Sequence, residues 1–73
     1  MHNRADEARR LEQRKTIVLK FLAIEPDTLS SLKFIIGGDT KLTEKALYDL
    51  VQDGKVAYRG KGMYFARETA GLW

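Results

Sequence analysis

The 73-residue chain has no cysteine, one histidine and one proline. Without cysteine there are no disulfides and no thiolate metal sites. His2 stands alone beside the terminus, so no histidine set exists to bind a metal or to activate a nucleophile. No apolar run approaches the roughly 20 residues a membrane helix needs, and no apolar signal segment follows the charged start. The expectation is a single cytoplasmic domain, near the lower size at which one hydrophobic core holds a chain together.

Catalytic constellations are missing too. Ser30 and Ser31 have no histidine nearby in the sequence, and the acidic residues are scattered along polar faces. Neither Gly37-Gly38 nor "RGKG" at 59–62 has the glycine spacing of a phosphate-binding loop. The chain therefore reads as a non-enzyme without cofactor, metal or small-molecule ligand.

What remains is charge and periodicity. Thirteen Lys and Arg stand against ten Asp and Glu, a net charge of +3. This permits an acidic partner without demanding one. Residues 1–16 read as a polar helical extension that is free to fray, with Asn3 as a cap and Asp6 and Glu7 in the first turn, where the helix dipole favours them. From Ile17 an apolar stripe begins, through Val18, Phe21, Leu22 and Ile24, until Pro26 ends the helix.

Asp27 or Thr28 can cap a second helix carrying Leu29, Leu32, Ile35 and Ile36, stopped by Gly37-Gly38. Asp39 or Thr40 can cap a third, over 40–53, whose Leu42, Ala46, Leu47, Leu50 and Val51 form the apolar face before Gly54. A hairpin follows over 55–67. A turn centred on Gly60-Lys61, or a four-residue loop with the same pairing, places Val56, Tyr58, Met63 and Phe65 on one core-facing side. Ala57, Arg59 and Tyr64 take the other side. Residues 68–73 are a short tail.

The stretch "DTLSSLKFIIGGDTKLTEKALYDLVQDGKVAYRGKGMYFA" resembles the winged helix-turn-helix superfamily. The resemblance rests on Leu29 and Leu32, the glycine turn, Ala46-Leu47, Leu50, Gly54, Val56 and the hairpin through Phe65. It implies a mainly α fold with a small β-hairpin, three helices plus a two-stranded wing, over residues 17–67. It also implies that the third helix lies in the major groove of double-stranded DNA while the wing touches the backbone. The protein is then a small transcriptional regulator, or a recombination or replication accessory factor, and nucleoid-associated when DNA-bound.

Under that reading Thr40, Lys41, Thr43, Glu44, Lys45 and Tyr48 on the third helix, with Arg59 and Lys61 at the wing tip, are the candidate DNA-binding residues. Lys41, Lys45 and Tyr48 fall together by helical spacing. Lysine and tyrosine suit phosphates and base edges, and Thr40 can offer a backbone amide. Glu44 faces phosphates favourably only if it accepts from cytosine or pairs with a lysine. Glu44, Asp49 and Asp53 leave the helix close to neutral, which motivates the alternative of a winged-helix protein-interaction module. A chain this small rarely reads a long DNA site alone, so the DNA reading carries the expectation of a homodimer on a two-fold site or of side-by-side copies.

Overall fold

Pro26 ends the first helix, as its missing amide and its effect on the preceding residue require: α1 (Arg4–Ile24) stops two residues before it. The computed structural model describes residues 4–67, so the Asn3 cap, His2 and the tail 68–73 lie outside the described residues. α1 is one continuous helix of 21 residues. Its Val18 and Leu22 are buried, and Leu11 packs against the same core. The polar first half is thus joined to the domain: Leu11, Arg14 and Lys15 all make tertiary contacts. No helix among the described residues is long and apolar enough to cross a membrane.

The residues after Pro26 form β1 (Asp27–Thr28), which runs straight into α2 (Leu29–Ile36). Thr28 is the N-cap, its hydroxyl accepting from the Ser31 amide at 3.1 Å. Asp27 assists from outside the helix: its carboxylate accepts from the Thr28 amide at 2.8 Å and the Ser31 hydroxyl at 2.9 Å. α2 ends at Gly37, whose φ of 70° lies in the region that favours glycine. After a short turn α3 (Thr40–Gln52) begins, with Asp39 as its N-cap accepting from the Leu42 amide.

α3 is the helix the core is built around. Ala46, Leu47 and Leu50 are buried against Val18 and Leu22 of α1, Leu32 of α2, and Val56 and Ala66 of the sheet. Seven of these eight residues carry little or no exposed surface, the condition under which removing a methylene is felt.

The sheet departs from the expected two-stranded wing. β2 (Val56–Gly60) and β3 (Met63–Ala66) form the hairpin, and β1 adds to the far edge of β3, giving three antiparallel strands in the order β1-β3-β2. Asp27 pairs with Tyr64 and Thr28 with Met63. A two-residue strand has no periodicity to read, so it left no mark in the sequence pattern.

The hairpin register is also shifted. Val56 pairs with Ala66, Ala57 with Phe65, Tyr58 with Tyr64 and Gly60 with Met63, with an irregularity between Tyr58 and Gly60. The turn is therefore Lys61-Gly62. Both have positive φ, 55° and 77°, as a two-residue type I′ turn requires. The extra residue at Arg59 acts as a bulge. Moving one strand by one residue exchanges its faces. Val56, Tyr58, Tyr64 and Ala66 now share a side, instead of Val56, Tyr58, Met63 and Phe65.

Candidate nucleic-acid interface

Burial of Ala46, Leu47 and Leu50 fixes the rotation of α3, and the opposite side of the helix carries Lys41, Lys45, Tyr48 and Gln52. All four are exposed. Their spacing of four, three and four residues makes them neighbours in one stripe. Lys41 and Lys45 form no ion pair among the described residues, so their charges are available to a partner.

Thr43 does not belong to this stripe. It is fully buried on the α1 side, where its hydroxyl accepts from the Arg14 guanidinium at 2.8 Å. The expectation that Thr43 faces a nucleic acid is corrected by that burial: it sits three residues before Ala46 and seven before Leu50, on the core side of the helix. Its task is to receive Arg14, which also donates to the carbonyls of Gly37 at 3.3 Å and Asp39 at 3.4 Å.

Arg14 therefore ties α1 to both sides of the α2–α3 turn. Its neighbour Lys15 reaches the other end of α3, pairing with Asp53 at 2.9 Å. The hydrogen bond from Lys15 holds the Asp53 carboxyl below the ordinary carboxylate value, aided by Coulombic attraction to Lys15 and Lys55. Lys15 is raised in turn, first by its hydrogen bond to Asp53 and against the opposing effect of burial. Two consecutive residues of α1 thus hold the two ends of α3.

Glu44 is the carboxylate that most opposed a phosphate-facing helix, and it is ion-paired with Lys33 of α2 at 2.9 Å. With Glu44 held by Lys33 and Asp53 by Lys15, the lysines of the stripe are less opposed than the sequence of α3 alone indicates. Asp39 works the other way. Its carboxylate caps the start of α3, next to the Thr40 amide, and disfavours an anion there.

α3 packs against β2, and two tyrosines of the sheet face each other. Tyr58 and Tyr64 rings lie with centroids 5.2 Å apart at 60°. The Tyr64 phenol is pushed above its ordinary value, chiefly by burial and further by the nearby Tyr48 and Tyr58 phenols. Tyr48 of α3 is therefore within electrostatic range of the Tyr64 phenol. Tyr58, expected in the core, is 57% exposed, and its hydroxyl accepts from the Gly62 amide at 2.9 Å. The register shift and the bulge keep it beside Tyr64 at the open end of the sheet.

The wing-tip cations are separated. Lys61 is exposed at the turn itself. Arg59 instead lines a groove with Ile24, Pro26 and Phe65, beside the end of α1. The structure brings Lys41, Lys45, Tyr48 and Gln52 together on one exposed side of α3, and leaves Arg59 beside the end of α1.

Sequence reasoning missed Lys33, Tyr58 and Arg14. Lys33 was legible only as a helical residue of unknown direction, and Tyr58 needed the true turn. Arg14 was masked by its charged neighbours. Arg10 also lines a groove with Lys45, Leu42 and Glu7, so one more cation of α1 stands near the start of the stripe. Comparison with protein-family models, with curated proteins and with solved structures finds no match to this chain.

Proposed function

We propose that the chain is a small double-stranded-DNA-binding protein of winged helix-turn-helix type, acting as a transcriptional regulator or a recombination or replication accessory factor. α3 enters the major groove, whose width admits a helix, and Lys41, Lys45, Tyr48 and Gln52 face base edges and phosphates. The hairpin lies beside it, with Lys61 on the backbone. The observation that carries this reading is the exposed stripe of Lys41, Lys45, Tyr48 and Gln52 on the side of α3 opposite its buried residues, on the helix that also packs against β2 of the hairpin.

Lys61 adds support. A non-glycine residue at φ 55° costs roughly 1–2 kcal/mol relative to the right-handed region, and asparagine or glycine is the favoured occupant of that turn position. A lysine there is explained by its charge, not by the turn.

The test is a duplex titration at several salt concentrations. With about four to six phosphate contacts, the logarithm of affinity falls against the logarithm of salt with a slope near −4 to −5. Absence of salt-sensitive binding to random or selected duplexes at micromolar protein removes the proposal and favours a protein-interaction module.

A further inference from the structure

Tyr58 is the aromatic ring of the hairpin that stays exposed, whereas Tyr64 and Phe65 are half-buried. Its position is nevertheless fixed. The ring meets Tyr64 at 5.2 Å and 60°, and its hydroxyl accepts from the Gly62 amide of the turn at 2.9 Å. Held by β2 at one end and by the turn at the other, the ring is set before anything binds, so a partner does not have to order it.

The open ring belongs to a groove between the start of α2 and the hairpin, lined by Thr28, Leu29, Ser30, Tyr58, Gly62 and Tyr64. No charged side chain lines it. Asp27, the carboxylate next to it in the chain, is taken up by the Thr28 amide and the Ser31 hydroxyl. The Ser30 hydroxyl has no hydrogen-bond partner among the described residues. Gly62 shares the turn with Lys61, which is exposed and forms no ion pair among the described residues.

These surroundings select a ligand. Two phenol rings and Leu29 suit a flat apolar face, the Ser30 hydroxyl suits a polar edge, and the lack of charge suits a neutral group. The neighbouring Lys61 suits an anion. A nucleotide joins these features in one unit: a neutral base with a π-face and a hydrogen-bonding edge, beside a phosphate. Inside a duplex the base faces are covered by their neighbours, so only an unpaired base can lie on Tyr58. We infer that this groove is a site for an unpaired nucleobase, which stacks on the Tyr58 ring while Lys61 holds an adjoining phosphate. The inference rests on the nucleic-acid reading above and extends it: the preferred target is a junction of duplex and single strand.

Titration of the whole chain against one duplex in three forms tests this: blunt, with a short single-stranded extension, and with the same extension made abasic. The wild type is expected to bind the extended form about tenfold more tightly than the blunt one, the gain that one stacked base supplies. The abasic extension keeps its phosphates and is expected to bind like the blunt duplex. Tyr58→Ala is expected to abolish the preference, and Tyr58→Phe, which keeps the ring and loses the bond to Gly62, to retain it. Tyr58→Leu, with apolar bulk and no π-face, is expected to match the alanine variant and replaces it if the alanine disturbs the turn. Salt-sensitive binding that is equal for the blunt and extended forms overturns the inference and leaves the proposed function standing. An abasic extension that binds like the intact one, or a preference that survives both Tyr58→Ala and Tyr58→Leu, also overturns it. A single strand bound through Tyr58, with no binding of the blunt duplex, keeps the stacking site and removes the duplex reading.

Discussion

The guanidinium of Arg14 donates to the buried hydroxyl of Thr43 at 2.8 Å, across 29 residues of sequence, and the same nitrogen lies 3.3 Å from the Gly37 carbonyl. One side chain of α1 thereby ties the end of α2 to the start of α3. On the proposed function, Arg14 is a positioning residue, one that orients α3 without touching a nucleic acid.

Arg14→Ala leaves the Thr43 hydroxyl with only the longer 3.4 Å bond to the Asp39 carbonyl. The expected cost is about 1–3 kcal/mol, read from urea denaturation. DNA affinity is expected to fall even where the variant is fully folded, and Arg14→Lys to recover charge but not the planar donor geometry of the guanidinium. Wild-type affinity in Arg14→Ala removes the positioning role.

Stability and binding are expected to separate at Lys61. Lys61→Asn places a residue tolerant of positive φ in the type I′ turn, so the thermal midpoint is expected to stay level or rise by a few degrees. The salt slope of DNA binding should lose about one unit with the lost phosphate contact. A lower midpoint with unchanged binding contradicts both halves of the argument.

The Lys15–Asp53 pair gives a pH window of defined sign. Asp53 has a lowered folded value, so its contribution is present above the ordinary carboxylate value near 4 and is lost as pH falls through the folded one. Lys15 has a raised folded value, so its contribution is present below about 10.4 and is lost as pH rises through the folded one. The stability difference between wild type and Asp53→Asn is therefore expected to be flat from about pH 5 to 9 and to vanish in acid. A difference that persists at about pH 2 is incompatible with the pair as its source.

Tyr64 reports on the meeting of α3 and the sheet without any nucleic acid. Its raised value means that its contribution to stability is present below about 10 and lost as pH rises through the folded value. Tyr48→Phe removes one of the two neighbouring phenols, and the Tyr64 ionisation, followed by ultraviolet absorbance, is expected to move down while staying above the ordinary value because burial remains. No movement places Tyr48 outside electrostatic range of the sheet's phenols.

The three helices were legible because Pro26, Gly37-Gly38 and Gly54 punctuate strong apolar periodicities, and each helix ends where that chemistry requires. The hairpin was legible as an element but not in register. Gly60-Lys61 and Lys61-Gly62 are both plausible turn pairs, and only the bulge at Arg59 decides between them. That single step moved Met63 and Phe65 off the expected core face. The third strand could not be read, since two residues after a proline carry no pattern. At the site, Lys41, Lys45 and Tyr48 follow from helical phase alone. Thr43 was misread because a threonine gives no hydropathy signal for burial, and its partner Arg14 lies in a segment that reads as solvated.

The most direct test of the central claim is the DNA salt titration of Lys45→Glu combined with Lys61→Glu, set beside Arg9→Glu on the outer face of α1 as a control. If α3 and the hairpin form one DNA-binding surface, the double variant is expected to lose about a hundredfold or more in affinity and at least two units of salt slope, while the control stays within about threefold of wild type. A double variant that binds duplex DNA like the wild type, with an unchanged slope, contradicts the account.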